Sequence, residues 1–331
     1  MSSIYEIARQ LGMSARTVSR VINDSSLVSA KTKQRVRDHF QAVGFSPSAA
    51  ARTLVRGRAD VVGIVSSTSR AHYVMELLFA LECEISRRGT RCLMFTAHNA
   101  EDELAAVRAL RASDVDGLFF LSAFCDDATV AALAQENPKI IFGHGPKEFH
   151  LVRTSQAAGI GDLLRRLVAC GHRKIAFMGP PESMYPGHNE RRDAYDAAMQ
   201  RHGLGSCRTF YYAPTTLAGA HAGAARILHA ADRPTAIMCF NDEMAMGTIK
   251  AAQELGIRVP EELSVTGFDG LEFGQYFIPA VTSYRIDPDA VARQMADTLF
   301  ALMLDPEAHP AQVTLSGKLL KGGSIAPLRP A

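Results

Sequence analysis

The chain has no C-x-x-C pair, no zinc-like spacing of Cys with His, and no apolar run approaching the ~18 residues of a membrane span. Its six cysteines (Cys83, Cys92, Cys125, Cys170, Cys207, Cys239) are scattered and mostly lie in or beside apolar segments. Buried free thiols in a reducing cytosol are therefore expected, with no disulfide framework and no metal site. The N-terminal Met-Ser-Ser-Ile-Tyr-Glu has neither the basic nor the apolar region of a signal peptide, so the expectation is a cytoplasmic protein with no membrane partner. Catalytic signatures are missing too. There is no P-loop, no G-x-S-x-G elbow, no H-E-x-x-H and no complete G-x-G-x-x-G, which leaves an enzyme reading without a constellation to support it. Asp114-Val-Asp116-Gly117 opens like a calcium loop but runs straight into an apolar strand without the terminal Glu, and reads as a turn. Glu101-Asp102-Glu103 reads as a helix N-terminus favoured by the dipole.

What is present is an uneven distribution of charge. The 331 residues, 47% hydrophobic and 21% charged, have a globular balance. At roughly 150 residues per domain this length implies two folded units and a small appendage. The formal net charge of +2 divides sharply: residues 1–58 hold ten Lys/Arg against three Asp/Glu, a net of +7, and the remainder has a net of −5. A small basic head on a mildly acidic body suggests a polyanion-binding module joined to something else.

The head reads as three short helices. Ser3-x-x-Glu6 is a capping box before a helix presenting Ile7, Ala8 and Leu11, which Gly12 ends. Ser14 can cap a second helix from Ala15 to about Asn23, with Val18, Val21 and Ile22 on its apolar face, and Ser29 a third, with Val36, Phe40 and Val43 inward and Gly44 as its stop. The alanine-rich stretch from Pro47 to Gly57 has helix propensity but is too short to be stable alone. From Ala59 onward, apolar strands (61–65, 91–97, 117–123, 139–144, 151–154, 174–179, 209–212, 236–241, 263–268, 282–286) alternate with helices (about 72–88, 101–113, 126–136, 156–170, 188–202, 217–230, 242–255, 288–304). Ten strands and eight helices exceed one ordinary doubly wound domain, so an α/β body of two doubly wound parallel sheets is expected.

A helix, a tight turn and a second helix form the helix-turn-helix arrangement, in which the second helix enters the major groove and basic charge attracts phosphates. The residues Ile4-Tyr5-Glu6-Ile7-Ala8, Gly12-Met13-Ser14, Thr17-Val18-Ser19-Arg20-Val21-Ile22-Asn23, Val28-Ser29-Ala30-Lys31-Thr32 and Gly44-Phe45-x-Pro47-Ser48-Ala49 closely resemble the LacI/GalR family of bacterial transcription regulators. In the body the resemblance continues through Asp116-Gly117-Leu118, Gly171-His172-Arg173-Lys174-Ile175, Asn241-Asp242-x-Met244-Ala245-x-Gly247 and Ser264-Val265-x-Gly267-Phe268-Asp269.

The resemblance implies a helix-turn-helix domain over 1–46, a hinge helix over 47–58 and an effector-binding, dimerising body over 59–331. The body would resemble the periplasmic sugar-binding fold, with one lobe from 59–155 and 286–315 and the other from 156–285 and 316–331. Ala15, Arg16 and Arg20 occupy base-reading positions, and arginine suits a bidentate contact with guanine. Tyr5, Thr17, Ser19 and Asn23 match positions that hold phosphates. Ala51 and Leu54 match the hinge that enters the minor groove, Leu54 as the wedge between base pairs.

In the cleft, Tyr73, Arg191, Asn241 and Asp269 match effector-binding positions, while His72, His144 and Arg192 read as rim residues. Gly143, Ile286 and the stretch around Thr215 depart from the family's usual polar and aromatic choices, with Tyr212 the nearby aromatic, and so imply a ligand unlike a plain hexose. The expectation is a homodimeric repressor of a carbohydrate or related small-metabolite operon, bound to double-stranded operator DNA, with a small-molecule effector and no cofactor. The C-terminus lacks a leucine heptad, which implies a dimer and not a tail-assembled tetramer. The alternative is a sugar-binding protein with no DNA role.

Overall fold

The computed structural model describes residues 4–22, 25–45, 59–67, 71–121, 124–136, 139–143, 145, 148–181 and 190–328. The hinge segment 47–58, with Ala51 and Leu54, lies outside them, as do Ser3, Asn23 and His144.

In the head, α1 (Ile4–Leu11), α2 (Ala15–Ile22) and α3 (Ala30–Ala42) enclose a core of six buried residues, Ile7, Ala8, Leu11, Val18, Val21 and Val36. Gly12 reverses the chain after α1 at φ 63°. Ser14 Oγ then accepts from the Thr17 N–H at 3.1 Å, satisfying a free donor at the start of α2. Ser29 does the same for Thr32 at 3.3 Å, and Arg35 donates to the Leu11 carbonyl, tying α3 to the end of α1.

The body alternates strand and helix through β1 (Val61–Ser67), α4 (His72–Arg87), β2 (Arg91–Ala97), α5 (Ala100–Ala112), β3 (Gly117–Phe120), α6 (Asp127–Glu136), β4 (Ile140–Phe142) and β5 (Leu151–Thr154). These strands form a parallel sheet in the order β11-β5-β4-β3-β1-β2, completed by β11 (Gln312–Leu315). After α7 (Gln156–Ala169) come β6 (Ile175–Gly179), α8 (Glu190–Arg201), β7 (Thr209–Tyr212), α9 (Leu217–Leu228), β8 (Ala236–Cys239), α10 (Asp242–Glu254) and β9 (Ser264–Thr266). The second sheet runs β7-β6-β8-β9 and is also parallel. After the short α11 (Glu272–Gln275), β10 (Ser283–Arg285) pairs antiparallel with β12 (Lys318–Leu320). Bridges from Thr266 to Thr282 and from Asp269 to Arg285 attach this pair to the second sheet.

Strands β3, β6 and β8 are buried along their whole length, as parallel strands covered on both faces must be. The last long helix, α12 (Pro288–Leu304), returns to the first lobe and packs along α4. The chain passes between the two sheets after β5, after β10 and between β11 and β12.

Two strands, β11 and β12, have no counterpart in the sequence expectation. Both are partly exposed, and β11 alternates exposed and half-buried residues, so neither shows the apolar run that marks a central strand. Several strands are also shorter than expected. Strand β8 stops at Cys239 because Asn241 already caps α10, its Oδ1 accepting from the Met244 N–H at 2.9 Å.

The cysteines correct another expectation. All six are free, but only Cys125 and Cys239 are buried, while Cys83 and Cys207 are exposed. Cys83 lies within α4 on the face turned away from Leu78, Leu81 and Ile85, and Cys207 ends the short turn before β7, so the neighbouring apolar residues cover neither. Burial pushes the thiols of Cys125 and Cys239 up to about 12, which keeps them protonated and inert. Among the described residues no helix is long and apolar enough to cross a membrane, and no cluster of His, Cys, Asp or Glu could hold a metal ion.

Candidate nucleic-acid interface and interlobe cleft

Helix α2 turns Val18 and Val21 into the head's core, which leaves the opposite face outward. Arg16 is exposed and Arg20 half-buried, one helical turn apart, so both guanidinium groups lie on one side of the helix. Ala15 is half-buried and packs against the core, so it presents less of itself outward than Arg16. The Thr17 hydroxyl lies 2.9 Å from Ser14 Oγ and takes part in the helix start. Ser19 is half-buried, and Tyr5, on α1, is 78% exposed.

The cleft group is built from both sides of the second sheet. Arg191, in the first turn of α8, is buried and donates through Nε to Gln156 Oε1 at 2.7 Å and through a terminal nitrogen to Asp269 Oδ1 at 2.8 Å. Its other terminal nitrogen donates to the Phe240 carbonyl. The guanidinium carbon lies 4.0 Å from the Phe268 ring centroid and 4.6 Å from that of Phe240. A cation held between two aromatic faces, with each nitrogen given an acceptor, is the arrangement that makes a buried arginine tolerable. Burial raises the Asp269 carboxyl above the usual range, and Arg191 opposes that rise.

Tyr73 stands near this pair from the first lobe. Its hydroxyl oxygen is buried and has no hydrogen-bond partner. Burial raises its phenol, and the next contribution comes from the charge of Asp269. An orphaned hydroxyl beside a carboxylate is a group prepared to donate to something else. The structure thus brings Tyr73, Arg191 and Asp269 together. Asn241 is adjacent to Phe240 but already occupied, its oxygen capping α10 and its amide nitrogen donating to Glu243 at 3.4 Å.

Asp269 is presented by an unusual turn, with φ 97° at Asp269 and 72° at Gly270. Asp242, fully buried at the start of α10, holds that turn. It accepts from the Leu271 N–H at 2.6 Å and from Ser283 Oγ at 2.5 Å. Gly267 makes room for it, since a Cβ there would stand 2.0 Å from Asp242 Oδ1. Burial pushes the Asp242 carboxyl up to about 7, against the pull of its hydrogen bonds.

Across the mouth of the cleft, His72 Nδ1 lies 2.8 Å from Glu243 Oε1, and the His72 ring meets the edge of Phe273 with centroids 4.9 Å apart. His72 starts α4 in the first lobe and Glu243 belongs to α10 in the second, so this rim residue bridges the lobes. Sequence reasoning did not single out Gln156, Phe240, Phe268 or Asp242 as site residues. The only signal for Asp242 was its place beside Asn241 in a recurring motif. Tyr212 is 49% exposed at the end of β7.

Residues 3–48 match the family model described as bacterial regulatory proteins, lacI family, and residues 164–325 match the periplasmic binding protein-like domain. The chain is 30% identical over 339 residues to the HTH-type transcriptional regulator AscG of Escherichia coli K12, covering 99% of this chain and all of that one. It is also 30% identical to the HTH-type transcriptional repressor PurR of Erwinia tasmaniensis, covering 92% of this chain and 90% of that one. Among solved structures, the Lac repressor dimer bound to operator and the anti-inducer ONPF superposes with a TM-score of 0.90, at 24% identity, over 98% of this chain and 99% of that one. That likeness shows the shared fold.

Proposed function

The chain belongs to the lacI family of bacterial regulatory proteins, a family of transcriptional regulators, and from that premise we propose that it represses a carbohydrate or related small-metabolite operon as a cytoplasmic homodimer on operator DNA. Arg16 and Arg20, with Ala15, read base edges in the major groove. Tyr5, Thr17, Ser19 and Asn23 hold phosphates, and Ala51 and Leu54 enter the minor groove between the two half-sites. A small metabolite in the cleft contacts Tyr73, Arg191, Asn241 and Asp269. Its binding alters the relation of the lobes, and coupling of this kind is typically about 1–3 kcal/mol and reciprocal with operator binding.

The observation that carries this reading is the join, in one chain, of an exposed basic helix to a cleft where a buried Arg191–Asp269 pair faces an unpartnered Tyr73 hydroxyl. Asn241 contributes through the second N–H of its amide, because its oxygen accepts from the Met244 N–H and its other N–H is donated to Glu243. Dimerisation is supported by a groove of about 940 Å³ on the first lobe, lined by Met75, Leu78, Phe79 and Met94. Phe79 is 69% exposed there, an apolar surface of the kind a second copy covers.

The test is retention of duplex fragments of bacterial genomic DNA at low and moderate salt. Sequence-selective retention that falls by orders of magnitude between about 50 mM and about 200 mM salt is expected. A sugar-binding protein without a DNA role retains none at either concentration.

A further inference from the structure

The junction where the body begins is held from several directions by one acidic side chain and its neighbours. The Ala59 N–H donates to Asp116 Oδ1 at 2.9 Å and the Val61 N–H to Asp116 Oδ2 at 3.3 Å, so both oxygens of one carboxylate hold amides on either side of Asp60. The Asp116 N–H in turn donates to the Val61 carbonyl at 2.8 Å. Asp60 itself stands in the left-handed region at φ 52°, where residues other than glycine are uncommon. Its carbonyl accepts from the Arg91 N–H at 3.0 Å.

Asp116 immediately precedes β3 and Arg91 begins β2, and these are the two strands that flank β1 in the sheet. Residues 59–61 are thereby fastened to both neighbours of their own strand. The Asp114-Val-Asp116-Gly117 run, whose spacing imitates the start of a calcium loop, has this structural use. A kinked backbone held by contacts on each side points from an observed outlier toward function. The kink also sits at one particular place, the first residues of the body after the segment that leads to the head.

We propose that Asp116 is a positioning residue that couples the body to DNA binding. By pinning residues 59–61 it fixes the point and direction from which the chain leaves the first lobe. Movement of that lobe is then delivered toward the head instead of being absorbed by slack at the junction. Without the clamp, residues 59–61 gain conformational freedom that must be given up on DNA, at a backbone entropy cost for each residue. The tether between the two heads of a dimer also lengthens, which dilutes the second head at its half-site. The inference rests on the DNA-binding reading above. It predicts the opposite sign from a simple charge effect, since removing an acidic group near a polyanion strengthens binding.

The experiment uses the full chain. Wild-type protein first enriches duplexes from a random pool. Dissociation constants of wild type, Asp116→Ala and Asp116→Asn are then measured on the enriched duplex and on an unrelated duplex, well below the thermal midpoint of each protein. For Asp116→Ala the affinity for the enriched duplex falls about tenfold or more, while that for the unrelated duplex changes by less than about twofold. Asp116→Asn falls between, because its amide oxygen still accepts from one of the two amides, and it decides the matter if the alanine variant does not fold. Unchanged affinity for the enriched duplex overturns the proposal even when the midpoint drops, because that is the mark of a purely structural residue. Equal losses on both duplexes also overturn it, by placing the damage in the head. A wild-type protein that enriches no duplex removes the DNA-binding reading and this inference with it.

Discussion

The head keeps its charged groups outside and its core small, with Arg16 exposed on a helix whose inward face is Val18 and Val21. The body does the reverse, burying Arg191, Asp269 and Asp242 and leaving specific buried atoms, such as the Tyr73 hydroxyl, without a hydrogen-bond partner. The charge follows the same division, a net of +7 on residues 1–58 against −5 on the rest. A surface meant for a long polyanion gains from many solvated cations that act additively and are screened by salt. A cleft meant for one small molecule gains from a few desolvated groups, each held by the fold, because a displaced group there is costly.

The largest effect that separates the two regions is expected at the buried ion pair. Asp269→Ala leaves the Arg191 guanidinium between two rings without its carboxylate, and breaking such a pair costs about 3–5 kcal/mol. Urea unfolding followed by a body-specific signal detects that loss. Joint replacement by Arg191→Met and Asp269→Asn recovers part of it, since no charge is left unpaired and asparagine tolerates the positive φ at this turn. A full loss in the double variant would show that the pair stabilises the body beyond its own compensation.

In the head, Ile7→Ala removes a fully buried side chain from a core of six buried residues and costs about 2–4 kcal/mol. So small a unit has little stability in reserve, and DNA retention is expected to vanish while the body's unfolding midpoint stays in place. A shift of both midpoints together would break the comparison by showing that head and body unfold as one.

Smaller effects sharpen it. Arg16→Ala is expected to lose about 1–3 kcal/mol of discrimination at one base pair of each half-site, read from binding to duplexes altered at single positions. It leaves ligand-induced thermal shifts of the body unchanged. The last effect is one of pH. Burial raises the folded carboxyl of Asp242 to about 7 from an unfolded value near 3.8. The native state therefore holds its proton more tightly, and this contribution to stability is fully present below the unfolded value and is lost as pH rises through about 7. The difference in urea midpoint between Asp242→Asn and wild type should shift in favour of the variant between pH 4 and pH 7.5, and a constant difference would contradict the assigned rise.

Much of the architecture was legible in the sequence because its signals are local. Gly12 and Gly44 end helices where the chain turns left-handed, Ser14 and Ser29 cap the next ones, and the consecutive apolar residues of β3, β6 and β8 mark buried parallel strands. Strands β11 and β12 were not legible, because partly exposed pairs at sheet margins carry no continuous apolar run. The cleft was legible only through family resemblance. Arg191 and Asp269 are 78 positions apart, and His72 and Glu243 are 171 apart, so no spacing rule joins them. Resemblance also named Asn241 without showing that its oxygen belongs to the helix cap, and it passed over Asp242, whose importance lies in the turn it holds.

The central claim is that the basic head reads DNA as one of a symmetric pair, and the most direct test is selection of duplexes from a fully random pool by the full chain. The expected product is an inverted repeat of two half-sites with fixed spacing, enriched at low salt and lost as salt rises. A pool that stays random, or a single unrepeated site, would contradict it.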